Sequence, residues 1–208
     1  AVVLKMLPFD NKSEFQVVVD MPAGTPLEDT AAALQAMGSF LARQPEVRDL
    51  QAYAGTASPI NFNGLMRQYY LRSGGEVGDL QVTLLDKAHR AQKSHAIVKR
   101  LRPGLQEIGQ RLGANVKLVE VPPGPPVIAT LLAEIYGEDP DVRRKVAAEV
   151  RELSRQVPYI VDDDMTSRDR APRQRITIDQ DNLEFHKVEE SDVYDTIRAY
   201  LGGVPVGD

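Results

Sequence analysis

Between residues 14 and 21 the chain reads Glu-Phe-Gln-Val-Val-Val-Asp-Met, a short β-branched run stopped by Pro22 and Gly24, which predicts a strand. Thr25, Pro26 and Glu28 then offer a hydroxyl cap, a proline at the first helical position and a carboxylate three residues on. Leu27, Leu34, Met37, Phe40 and Leu41 recur at helical spacing and carry the helix to about Gln44. A strand over 47–54 completes a β-α-β unit. The pattern repeats with a strand over 79–86 and a helix from about Ser94 that places Ile97, Val98, Leu101, Leu105, Ile108 and Leu112 on one face. Pro103 falls inside this helix and should kink or divide it, because its missing N–H breaks the ladder. Gly113 ends the helix, and 115–121 alternates as a strand. Two such units in succession predict an α+β fold of ferredoxin-like β-α-β repeats, with both helices on one face of an antiparallel or mixed sheet.

Pro122, Pro123, Gly124, Pro125 and Pro126 mark the clearest boundary, since prolines at this density impose an extended, semi-rigid segment. A third β-α-β unit follows. It has a strand over 128–136, a helix from Asp139 and Pro140 carrying Val142, Val146, Val150 and Leu153, and a returning strand from Tyr159 to Val161. The tail adds a strand over 175–179, a short helix over 182–186 and a helix over 191–201 capped by Ser191. One unit cannot make a four-stranded split sheet, so the second half reads as incomplete.

Composition narrows the classes. At 42% hydrophobic residues in 208, there is enough for one large core or two small ones. The net charge of −5 is spread along the chain, without the concentrated basic patch of a nucleic-acid surface. Cysteine is absent, which excludes disulfides, thiolate metal sites and cysteine nucleophiles. No run approaches the roughly 18 apolar residues of a membrane span, and no signal peptide opens the chain. At face value this reads as a soluble cytoplasmic protein, yet both ends look cut.

Candidate chemistry is sparse. His89, His95 and His186 lack partners at metal-ligand spacing. Asp162, Asp163 and Asp164 lack the spacing of a calcium loop and read as a solvated turn, with Arg168, Arg170, Arg173 and Arg175 as neighbouring compensating charges. There is no phosphate loop and no defensible Ser-His-Asp order, so no enzyme, cofactor or metal site is expected. The unusual feature is the stretch 55–70 between the first two units. It is glycine-bearing and aromatic, and far longer than a hairpin needs. Long loops with apolar tips are often binding elements, and a loop folded over its own core is the equal alternative from composition.

Taken in order, several passages resemble the second large periplasmic loop of resistance–nodulation–division (RND) permeases, the family of acriflavine resistance protein B. They are Leu7-Pro8, the strand over 15–20 and Met21-Pro22-Ala23-Gly24-Thr25. Further on come Tyr70-Leu71-Arg72, 79–85, Ser94-His95-Ala96-Ile97 and Val119-Glu120-Val121 with the prolines after it. Ile176-Thr177-Ile178-Asp179-Gln180 and Gly202-Gly203 complete the series. The resemblance implies a complete first porter subdomain over 1–122, half of a second over 127–166 and the start of a docking subdomain over 167–208.

It also implies a function: export of drugs or other small amphiphiles by a proton-driven, membrane-embedded parent. That parent would be a homotrimer at the periplasmic face of the inner membrane, working with a periplasmic adaptor and an outer-membrane channel. The family's flexible substrate loop maps onto 55–68, with Phe62 at its tip and Ile60, Leu65 and Met66 nearby. Val18, Asp20, Lys117, Val119 and Val121 would line the cleft walls, where Asp20 and Lys117 make the lining more polar than in broad drug exporters. Two other readings stand beside this one. A metal-exporting member is weakened by the absent cysteines and only five methionines. A ferredoxin-like small-molecule sensor is the alternative from another class.

Overall fold

The computed structural model describes residues 10–59, 65, 67–121, 129, 131–166 and 175–207. The chain divides into two units, Ala1–Ala171 and Pro172–Asp208.

In the first unit, strand β1 (Glu14–Asp20) is followed by helix α1 (Leu27–Ala42) and strand β2 (Val47–Thr56). Strand β3 (Ser73–Leu84), helix α2 (Ser94–Arg111) and strand β4 (Asn115–Val119) repeat the motif. The sheet order is β2-β3-β1-β4, with every neighbouring pair antiparallel. This is the expected ferredoxin-like split sheet, with β1 and β3 at its centre. Register follows from burial. Phe15, Val17 and Val19 of β1 join Leu80, Val82 and Leu84 of β3 and Val116 and Leu118 of β4 on the helix side. They pack against Leu34, Met37 and Leu41 of α1 and Ile97, Leu101 and Leu105 of α2. A slip of one residue would turn this set to the opposite face.

Pro103 does not divide α2, which runs unbroken from Ser94 to Arg111. Pro103 and Lys99 both lie on the exposed face, where solvent can take the carbonyl that loses its helical donor. On the inner side Gly104 admits Phe40 of α1: a Cβ at Gly104 would sit 2.5 Å from Phe40 Cζ. The cap at Thr25 is also not made. Its hydroxyl donates back to Pro22 O at 2.7 Å, and Pro26 stands at the cap position without a side-chain bond.

Helix α3 (Pro140–Arg155) starts where expected, with Asp139 accepting from the Asp141 amide at 2.7 Å. The strands expected around it are absent among the described residues, both over 128–136 and at 159–161. Leu131 and Tyr136 are 67% and 84% exposed. Apolar composition supplies β propensity, but a strand forms only when a neighbour takes its backbone groups, and no described segment pairs here. Residues 122–128, which include the proline boundary, lie outside the described residues.

The second unit contains α4 (Gln180–His186), capped by Asp179, and α5 (Glu190–Gly202). The stretch 175–179 is not a strand, for the same lack of a pairing segment. Helix α5 begins one residue earlier than expected, with Glu189 at its cap, so Ser191 lies inside the helix and does not cap it. Among the described residues no helix is long and apolar enough to cross a membrane.

Candidate functional site

The alternation that sends Val17 and Val19 to the core sends Gln16, Val18 and Asp20 to the other face of the sheet. Asp79 and Gln81 of β3 join them, as do Lys117 and Val119 of β4. Cross-strand register places Val18 opposite both Asp79 and Lys117, at the centre of this face. The face is polar but not open: Val18, Asp79, Lys117 and Val119 are all buried.

The stretch leaving β2 and returning to β3 supplies part of the cover. Ser58 donates its amide to Asp79 Oδ2 at 2.8 Å, and its hydroxyl accepts from Gln81 Nε2 at 2.9 Å. Gln16 Nε2 reaches the same Asp79 oxygen at 3.1 Å. At the other end of the stretch Arg72 donates to Asp79 Oδ1 at 2.7 Å, to Val19 O at 2.8 Å and to Asp20 Oδ1 at 2.5 Å. Asp79 thus holds both ends of the excursion with its two carboxylate oxygens. Lys117 Nζ lies 2.6 Å from Asp20 Oδ2 and 2.6 Å from Asp164 Oδ2. The Tyr69 ring stands over the pair, its centroid 5.8 Å from both Arg72 Cζ and Lys117 Nζ.

These pairings decide protonation. Burial alone would raise the Asp20 carboxyl, but Lys117 and Arg72 outweigh it and hold it below the usual carboxylate value. Burial would lower the Lys117 ammonium, yet Asp20 and Asp164 raise it above the usual lysine value. Both groups are charged at neutral pH.

The aspartate triplet is not a solvated turn. Asp162 pairs with Arg102 and accepts the Leu118 amide at 3.0 Å, Asp163 pairs with Arg151 and Arg155, and Asp164 meets Lys117. Asp162 adopts a left-handed conformation, φ 59°, which aspartate tolerates better than most residues. Because β4 is an edge strand, the Asp162 carboxylate satisfies an amide that would otherwise face outward. Of the basic residues expected to compensate the triplet, Arg168, Arg170 and Arg173 lie outside the described residues.

Of the residues singled out from sequence, Val18, Asp20, Lys117 and Val119 therefore come together on one sheet face. Val121 lies two residues past the end of β4 and is partly buried. Leu65 is 48% exposed, while Ile60, Phe62 and Met66 lie outside the described residues. Sequence reasoning missed Arg72, Asp79, Gln16, Ser58, Tyr69 and Asp164. The available signal was Asp79, an acid set midway along a strand beside apolar residues. His95 Nδ1 lies 2.8 Å from Glu120, and among the described residues no three His, Cys, Asp or Glu side chains converge as a metal site.

The model of the AcrB/AcrD/AcrF family matches residues 2–208. The chain belongs to this family. The family is one of efflux transporters. Among the solved structures that share the fold are two described as X-ray crystal structures of a heavy metal efflux pump. Crystal form II is 18% identical with a TM-score of 0.63, and 96% of this chain is covered against 20% of that one. Crystal form I is 17% identical with a TM-score of 0.64, and the coverage is 98% of this chain and 22% of the other. This family member thus spans about a fifth of the length of those pumps. No curated protein matches its sequence.

Proposed function

We propose that the chain is the periplasmic porter portion of a proton-driven RND efflux transporter that exports small amphiphiles. The family match over residues 2–208 carries this reading, and the ferredoxin-like sheet supports it. In the proposed arrangement residues 1–122 form the first porter subdomain, 127–166 half of the second and 167–208 the start of the docking subdomain. The parent sits in the inner membrane as a homotrimer, with a periplasmic adaptor and an outer-membrane channel as partners. Val18, Asp20, Lys117, Val119 and Val121 belong to the substrate path, and Ile60, Phe62, Leu65 and Met66 to the loop that guides substrate along it.

The titles of the two similar structures favour a second reading, a heavy metal as cargo. Against it, the carboxylates of the polar face are already held by Arg72 or Lys117. A metal would have to compete with buried cations for its oxygen ligands. The test is export by the intact parent in cells. Protection against amphiphiles that weakens with Phe62→Ala supports the proposal. Protection against divalent metals alone would replace it with the second reading, and protection against neither would reject both.

A further inference from the structure

The charges of the polar face are layered by depth. Lys117 and Arg72 side chains are 3% and 10% exposed, whereas Asp20 keeps 31% and Asp164 48%. Asp20, Asp79, Arg72 and Lys117 bring two carboxylates and two cations, so this quartet is neutral by itself. Asp164 is a fifth charge, delivered by the irregular segment after α3. Its Oδ2 sits on Lys117, and its Oδ1 accepts the amide of the next residue, Met165, at 2.9 Å. The most exposed carboxylate of the cluster therefore rests on its most buried cation.

This asymmetry selects a ligand chemistry. A carboxylate or sulfonate oxygen arriving from solvent can take the place of Asp164 Oδ2 and leave Lys117 as fully compensated as before. Asp164 itself then returns to water, where an ionised carboxylate is well solvated. A cationic ligand has no such exchange, because Lys117 is buried on a strand and cannot leave its acids without a large desolvation cost. The Tyr69 ring beside Lys117 and Arg72 adds an apolar surface next to the charge.

We infer that Lys117 is a head-group site for anionic amphiphiles, with Asp164 acting as an internal counter-ion that the ligand displaces. As an account of cargo this rests on the porter reading; as a binding site it stands apart from it.

The 208-residue chain is titrated with anilinonaphthalenesulfonate, an anionic amphiphile, and with Nile red, an uncharged one. Removing the internal competitor with Asp164→Asn should tighten the sulfonate probe by about threefold or more, the worth of one partly exposed ion pair, and leave Nile red unchanged. Lys117→Gln should abolish the saturable sulfonate site. Should that variant lose its cooperative melting transition, Lys117→Arg replaces it and should retain the site. Unchanged sulfonate affinity in Asp164→Asn, or an equal gain for both probes, overturns the inference. Export by the parent is read separately, so a failed probe titration with intact export removes the anion site and leaves the transporter reading standing.

Discussion

Asp79 and Arg72 meet at 2.7 Å beneath the sheet, a wholly buried carboxylate against a guanidinium that is 10% exposed. Neither charge is tolerated there without a partner. Arg72 also binds Asp20, and Asp79 also accepts from Ser58 and Gln16, so each charge has more than one partner.

Removing one side of that pair should therefore be costly. Asp79→Ala leaves Arg72 with Asp20 as its one charged partner and frees the Ser58 amide, for an expected loss of about 3 kcal/mol in urea unfolding. Replacing both partners by apolar residues of similar volume should recover most of it. A single Asp79→Ala variant as stable as the parent chain would show that the pair is not coupled to folding.

The helix contact at Gly104 gives a steric prediction. Gly104→Ala brings a methyl to 2.5 Å from Phe40 Cζ, so the ring must shift, and a loss of about 1–3 kcal/mol is expected despite the better helix propensity of alanine. Phe40→Leu in the same chain should relieve the clash. A double variant no more stable than the sum of the singles places the strain elsewhere.

Stability against pH follows from Asp20 and Lys117. A carboxyl whose folded value lies below its unfolded one stabilises the fold above the unfolded value, and that contribution fades as pH falls through the folded value. Asp20 and Asp163 are both held low, so stability should drop below about pH 4. Lys117 is held high, and its contribution, full at neutral pH, fades above about pH 10.5. Urea midpoints across this range check it: Asp20→Asn should flatten the acid limb. An unaltered acid limb in that variant assigns the loss to other carboxyls.

The bond from the Leu118 amide to Asp162 is open to direct measurement. Asp162→Ala removes the acceptor from an edge-strand amide, and hydrogen exchange at Leu118 should quicken by about tenfold, in line with one lost hydrogen bond to a charged group. Exchange at Leu80, in the central strand β3, should not change. Equal rates at Leu118 in both proteins would mean that the edge is protected by other contacts.

The first two β-α-β units were legible because their information is local. The run of valines from Val17 to Val19, the helical spacing of Leu34, Met37 and Leu41, and that of Ile97, Leu101 and Leu105 each state a period and a buried face. The strands expected from Leu131, Tyr159 and Ile176 failed because a strand is a pairing, and the same apolar residues without a neighbour remain irregular. Asp20 and Lys117 were grouped by the family resemblance, and the register of β1 against β4 is what puts them on one face. Their ion pair was a matter of distance, not of pattern.

Sequence alone thus determined the two β-α-β units and their helix-covered face, since side-chain period acts over a few residues, while the grouping of Val18, Asp20, Lys117 and Val119 came from the family resemblance. Only the tertiary structure decided which charges meet. Asp164 and Lys117 stand 47 positions apart and Asp20 and Lys117 97, and no local period links them. A buried charge is tolerated only where a partner arrives at hydrogen-bonding distance, and that is settled when the segments pack.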